Sequence, residues 1–276
     1  MNFKQLKCLA VGCMAFDHVT RIFPIDHMLF PLADALWAAG HPRLADGILQ
    51  WVPFLLGFIG RLAAPVFLFC IVNGFFHTHS VRKYLLRLTV AAVIAQPPYM
   101  WFDMAEQRLY GVPGPWQPVG LNILFTLAFG LAAIAAFDCC GRRNRHFTGL
   151  LAVLAAAAAC HYLPCEGKEG YILLIFTIYL LRGRSRRVQA ALLAPAVALS
   201  RIRLILMPFT DPAANWASWA MTASMNVAGN YFGTLIPLLY NGEKGEVKPW
   251  FQWSLYAFYP AHFALLAAIG WLRPPF

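Results

Sequence analysis

Residues 51–76 read WVPFLLGFIGRLAAPVFLFCIVNGFF and contain one charged side chain, Arg61. About 20 mostly apolar residues are enough for a helix to cross the hydrocarbon core of a bilayer. Over the whole chain 60% of the residues are apolar and 12% are charged, whereas ~25% is ordinary for a soluble domain. The segment and the composition together predict an all-α protein whose main solvent is lipid.

Eight other stretches resemble residues 51–76 in length and apolar character. The sequence therefore predicts a polytopic transmembrane helix bundle of about nine spans, which forms a single domain over residues 1–276. A short interfacial helix is expected in the long connection 25–50. The nine candidate spans are 6–24, 51–76, 84–102, 119–137, 147–163, 170–182, 188–208, 216–240 and 250–272.

The 22 lysine and arginine residues give the chain a formal net charge of +10. If the N-terminus is cytoplasmic, fourteen of them fall at cytoplasmic ends of the predicted spans and five in outer connections. This bias follows the positive-inside rule and predicts a multi-pass protein of the bacterial cytoplasmic (inner) membrane, with the C-terminus outside. Topology thus accounts for the basic loops, so we expect the lipid bilayer and no nucleic acid as partner.

Several polar side chains inside the predicted spans fall at a common depth. Polar groups at such depth are costly and usually face the bundle interior or a water-filled cavity. With a rise of ~1.5 Å per residue, they lie about 18–22 Å from the cytoplasmic end of their spans. Each could be structural by itself, but together they favour a function inside the membrane. The layer comprises His18, Arg61, Gln96, Asn122, Arg201, Asn226 and His262, and Asp17 adjoins it.

The residue types in this layer restrict the chemistry. Asp17 and His18 offer a carboxylate beside a titratable base, and Arg61 offers a fixed positive charge for an anion or a developing oxyanion. We find no metal-ligand spacing, no serine nucleophile motif and no glycine-rich phosphate loop. A histidine-assisted transfer enzyme and a small proton-coupled transporter both remain possible. A structural assembly factor for a secretion or pilus machine is a third possibility.

Prolines indicate where the helices open. Pro65 cannot donate to the carbonyl of Arg61, four residues earlier, so we expect the helix to open at this arginine. Pro97 and Pro98 are expected to disturb their helix directly after Gln96.

Among the seven cysteines, Cys160 and Cys165 bracket a short loop. They could form a disulfide if this loop faces an oxidising space.

Many short blocks resemble the TraX family of bacterial membrane proteins, from about residue 6 to residue 270. Their order and spacing make the resemblance specific. The blocks are CMAFDHV (13–19), FIGRLAAPVFLFCIVNGFFHTHSVRKYLLRL (58–88), VIAQPPY (93–99), LNILFTLAFGL (121–131), EGYILLIFTIYLLR (169–182), NGEKG (241–245) and LYAFYPAHFALLA (255–267).

The resemblance implies an integral-membrane acetyltransferase that moves an acetyl group from cytoplasmic acetyl-CoA to an amine or hydroxyl at the outer side. His18 is expected to be the general base, with Asp17 and Arg61 as the other catalytic residues. The acceptor stays open between a pilin-like protein, a glycan and a lipid-linked sugar, and no metal is implied. Substrate or oxyanion binding is expected from Gln96, Asn122, Asn226 and His262, and acetyl-CoA binding from Arg82, Lys83 and Lys248.

Overall fold

The computed structural model describes residues 1–112, 118–211, 215–246 and 248–276. Within these residues the chain forms twelve α-helices and one short 3₁₀ turn, and no strand is found in them. The helices are α1 (Phe3–Ile22), α2 (Ile25–Ala38), α3 (Pro42–Arg61), α4 (Ala63–His77), α5 (Val81–Leu109), α6 (Ile123–Gly141), α7 (His146–Tyr162), α8 (Lys168–Leu181), α9 (Arg186–Ser200), α10 (Ile202–Thr210), α11 (Trp216–Leu235) and α12 (Pro249–Leu272), with the turn at Ile236–Leu239.

The helical boundaries follow local signals in the sequence. Asn2 caps α1 in a reciprocal arrangement with Gln5, in which each side chain accepts from the other residue's backbone N–H. The predicted opening at Arg61 is confirmed, because α3 ends at this arginine and α4 begins at Ala63. The expected disturbance at Pro97 and Pro98 does not end the helix, since α5 continues through both prolines to Leu109.

Three helical segments are long and apolar enough to cross a membrane by themselves: Pro42–His77, Ile123–Gly141 and Trp253–Leu272. Two bent helix pairs would raise the number among the described residues to five. One pair joins α1 to α2 at 69°, and the other joins α9 to α10 at 43°. The structure thus confirms the helical class over the described residues and gives three to five candidate membrane spans. Nine spans and the orientation of the termini stay predictions.

Several predicted spans form helices that are shorter than a regular span. Helix α8 has 14 residues, so its length is about 21 Å at 1.5 Å per residue. This length is shorter than the hydrocarbon core of a bilayer, which is ~30 Å thick. A helix is present in the predicted place within 25–50 as α2, and only three residues separate its end from the start of α3. Its position relative to a bilayer stays a prediction.

The apolar core lies where α1, α4, α5, α6, α8 and α12 meet. Helix α12 packs along α5 and also contacts α1, which brings the polar residues of these three helices together. Helix α11 packs closely on the junction of α3 and α4. This contact depends on Gly229 and Gly233, where an added Cβ would lie 2.6 Å from the Arg61 Cβ and 2.8 Å from the Leu62 carbonyl oxygen, respectively. Small residues of this kind let helix backbones approach within membranes.

Candidate active site

Two histidines of the predicted layer are in direct contact. The Nδ1 atom of His18, on α1, lies 2.9 Å from the Nε2 atom of His262, on α12. His18 is 8% exposed and His262 is 7% exposed. The two rings are stacked at 5.1 Å between centroids, and the rings of Phe102 and Phe263 pack against His18. The fold therefore joins two residues that are 244 positions apart in sequence.

The hydrogen bonds of this pair determine which ring nitrogen carries a proton. His262 Nδ1 lies 3.0 Å from the carbonyl oxygen of Phe258, and a carbonyl can only accept, so this nitrogen is the protonated one. In neutral His262 the Nε2 atom is then an acceptor, and His18 Nδ1 donates to it. We infer from this network that His18 Nε2 is unprotonated and available as a base. A histidine held in one tautomer by a second group is the arrangement that general-base catalysis requires.

Asp17 lies beside the histidine pair in a network of charged residues. Its carboxylate is 4.0 Å from Arg61 Nη2 and 3.8 Å from Arg21 Nε, and Arg21 in turn lies 3.2 Å from Glu106. The carboxylate fits against α3 because residue 60 is glycine; an added Cβ there would overlap Asp17 Oδ1. The structure thus brings the predicted Asp17 and Arg61 together beside Arg21, which lies one turn after Asp17 on α1, and it adds Glu106.

Gln96 and Asn122 hold α5 to the start of α6. The Asn122 side chain is buried; its Nδ2 donates to Ala92 O at 2.9 Å and to Gln96 Oε1 at 2.8 Å. Its Oδ1 caps α6 by accepting from Leu124 N–H at 3.1 Å. Gln96 Nε2 donates to the Gly120 carbonyl at 2.9 Å. Both amides are therefore engaged with protein partners, which indicates a structural role.

Arg201, another residue of the layer, belongs to a second polar cluster with Tyr171 and Asn230. Arg201 lies at the junction of α9 and α10, where its Nη2 donates to the Tyr171 hydroxyl at 2.7 Å and to Asn230 Oδ1 at 3.1 Å. Asn226, which the sequence placed in the layer, donates instead to Thr222 O of its own helix at 2.9 Å. Asn230 thus makes the interhelical contact in place of Asn226.

Glu166 is a charged residue that sequence reasoning missed. It lies in the connection between α7 and α8, outside every predicted span, and it interacts electrostatically with Asp17, Arg21, Arg61 and Arg201. The connection folds back on the bundle because Glu166 N–H donates to Leu121 O at 2.9 Å. Sequence reasoning missed Glu166 because hydropathy identifies polar residues inside apolar segments. It gives no indication that a residue in a connection will pack back against the core.

The cysteine pair lies in the same connection. Cys160 and Cys165 are both buried and both free thiols in this structure, and Cys165 N–H donates to Cys160 O at 3.1 Å. The possible disulfide is therefore absent here, although the two residues are neighbours as expected.

A cavity of about 640 Å³ lies between α1, α4, α5, α6 and α12. Along α1 and α12 it lies on the N-terminal side of His18 and His262. One end carries three basic side chains, Lys7, Arg87 and Lys244. The other end is lined by Met14, one helical turn before His18, and by Tyr259, one turn before His262. The cavity thus leads from a basic opening to within about 6 Å of the catalytic candidates along the helix axes.

The basic residues at the opening differ from those expected from the sequence. Arg82, Lys83 and Lys248 are exposed, and none of them lines this cavity. Arg87 lies one turn after Lys83 on α5, and Lys244 belongs to the NGEKG block. Charge alone did not distinguish these neighbours, because their side chains point in different directions.

Comparison with known proteins agrees with the resemblance seen in the sequence. The family model described as TraX protein matches residues 2–270. The probable fimbrial assembly protein FimC, serogroup H1, of Dichelobacter nodosus is 31% identical over 274 residues, which cover 96% of this chain and 93% of that protein. No solved structure matches the chain. A match of this extent, together with the helical architecture, shows that the chain belongs to the TraX family.

Proposed function

We propose that this protein is an integral-membrane acetyltransferase of the bacterial cytoplasmic membrane, with acetyl-CoA as donor and His18 as general base. The observation that carries the proposal is the buried His18–His262 pair, which lies one helical turn beyond Met14 and Tyr259 in the lining of a large cavity. The transferase class itself comes from the family resemblance. The geometry supports it by supplying a base and a chamber for the donor.

The cavity suits a donor with an anionic head and a long flexible arm. Lys7, Arg87 and Lys244 would contact the phosphates of acetyl-CoA at the basic end. The apolar walls, among them Ile71, Leu88 and Leu127, would accommodate the arm. The thioester would then reach the end that is lined by Met14 and Tyr259.

The tautomer of the histidine pair leaves His18 Nε2 free to act as the base in acetyl transfer. His18 Nε2 takes the proton from the acceptor amine or hydroxyl as this group attacks the thioester carbonyl carbon. A new C–N or C–O bond forms, the C–S bond breaks, and His18 returns the proton to the departing CoA thiolate. His262 holds the His18 ring and stabilises its positive charge through the hydrogen bond at 2.9 Å. Asp17 and Arg61 fix α1 against α3 and supply charges around the site.

The name of the similar protein from Dichelobacter nodosus suggests which acceptor receives the acetyl group. Because that protein is named a fimbrial assembly protein, we propose that this chain also serves a pilus and that a pilin-like subunit is its acceptor. The N-terminal amine of such a subunit would approach His18 from the outer side. A glycan or a lipid-linked sugar would make the same chemical demand on the base, and both belong in the acceptor test.

The test uses the purified full-length protein in nanodiscs with acetyl-CoA. Free CoA is quantified by chromatography, because the chain's seven cysteines would interfere with a thiol reagent. We expect slow CoA release that increases when pilin-like peptides are added. His18→Ala should lose this release, whereas His41→Ala should retain it, because His41 is exposed in the connection between α2 and α3.

Three other outcomes contradict the proposal in different ways. Full release by His18→Ala would overturn the assignment of the base. Folded protein that neither binds acetyl-CoA nor releases CoA would favour the proton-coupled transporter. A polar layer that tolerates apolar substitution without any loss of pilus function would favour an assembly factor.

A further inference from the structure

The hydroxyl oxygen of Tyr259 is fully buried, and its O–H has no acceptor among the described residues. Tyr259 is 6% exposed, and it lines the cavity. Nearly all buried polar groups in proteins are paired, so an unpaired hydroxyl needs an explanation. A group that joins this hydroxyl only during the reaction would explain it.

The N-terminus of α6 lies next to the Tyr259 hydroxyl. The backbone N–H of Ile123, in the first turn of α6, is directed at the Tyr259 oxygen without forming a regular hydrogen bond. First-turn N–H groups lack acceptors within their own helix, and the helix dipole makes this end positive. Leu124 and Leu127 of the same helix line the cavity. The hydroxyl and the helix N-terminus therefore meet in the protein directly behind cavity-lining residues of α6 and α12.

This region also lies beside the proposed base. The Tyr259 ring is 5.7 Å from the His262 ring between centroids. Both Tyr259 and His18 pack on Phe263, at 5.1 Å and 4.6 Å between centroids. The amides of Gln96 and Asn122 are already engaged, so they leave the stabilisation of an oxyanion to other donors.

We propose that Tyr259 is a catalytic residue whose hydroxyl donates to the thioester carbonyl oxygen as this oxygen becomes an oxyanion. The inference rests on the proposed transferase function. When the acceptor attacks the carbonyl carbon, the electron pair of the C=O bond moves onto the oxygen, where the Tyr259 hydroxyl meets it. When the C=O bond re-forms, the C–S bond breaks and the thiolate takes its proton from His18.

The test is Tyr259→Phe, which removes the hydroxyl alone. Loss of one oxyanion donor lowers kcat by about 10²–10³-fold, and KM for acetyl-CoA should not change, because the donor acts in the transition state. The thermal midpoint should be equal to or above that of the wild type, since the change removes an unpaired buried polar group. Tyr162→Phe on α7, at a residue 81% exposed, should leave all three quantities unchanged.

The combination of readouts separates the possible results. A purely structural hydroxyl would make Tyr259→Phe less stable, with the activity loss following the stability loss, and this would overturn the inference. Full kcat in Tyr259→Phe, with release still dependent on His18, would overturn it and leave the proposed function intact. If the wild type shows no His18-dependent release, the proposed function fails, and the role of Tyr259 fails with it.

Discussion

Gly60→Ala should disturb the site through a single methyl group. The added Cβ would overlap Asp17 Oδ1, and it would lie 2.7 Å from Asp17 Cγ and 2.8 Å from Asp17 Cβ. Ordinary contacts of a Cβ begin at 3.4 Å, so α1 and α3 must separate by roughly 0.6 Å even if the carboxylate rotates away. Rotation alone is insufficient, because the Asp17 Cβ is fixed to the helix backbone.

The size of the effect follows from this displacement. Overpacking of a close contact costs about 1–3 kcal/mol of stability. The Asp17–Arg61 pair is already at 4.0 Å, and a further separation would break it. Misplacement by ~1 Å at an active site lowers rates about 100-fold. We therefore expect a 10- to 100-fold loss of CoA release, by interpolation on that relation.

The matched control is Gly12→Ala on α1, the helix that carries Asp17, where an added Cβ meets nothing within 4 Å. Alanine is favoured over glycine in a helix by up to ~1 kcal/mol, so this variant should be equal to or more stable than the wild type. Thermal unfolding in detergent and the rate of CoA release are measured for both variants. Equal stability and equal rates of Gly60→Ala and Gly12→Ala would refute the packing of Asp17 on residue 60.

Four further predictions follow from the site and from the topology with a cytoplasmic N-terminus. His262→Ala should lower the rate of CoA release by about 10²-fold with little change in KM, because the His18 tautomer is no longer fixed; a change in KM alone would argue against this role. Asn122→Ala should lower stability by about 1–3 kcal/mol in thermal unfolding, since it removes three hydrogen bonds at the start of α6; unchanged stability would contradict the structural role. Arg87→Gln should raise KM for acetyl-CoA and leave kcat unchanged, as measured by initial rates, and an unchanged KM would place the phosphates elsewhere. Alkaline phosphatase fused after Phe276 should be active in cells if nine spans place the C-terminus outside, and an inactive fusion would require an even number of spans.

Much of the site could be predicted from the sequence because buried charge is conspicuous in apolar segments. Asp17, His18, Arg61 and His262 each interrupt an apolar stretch, and the structure gathers these four. The break at Arg61 was also predictable, because Pro65 lacks the N–H that its carbonyl would need. The family followed from the order of the short blocks along the chain.

The sequence by itself determined the helical class and the membrane character, since both follow from composition and apolar length along the chain. Tertiary structure decided which polar residues have free groups: Gln96 and Asn122 are bonded to each other, whereas the Tyr259 hydroxyl is unpaired. It also placed Glu166 and Lys244, which lie in connections. The physical reason is that the sequence gives only the depth of a residue along its helix, which is one of the coordinates that define its position. Rotation about the helix axis and the return of a loop to the core are fixed by packing between segments that are distant in sequence.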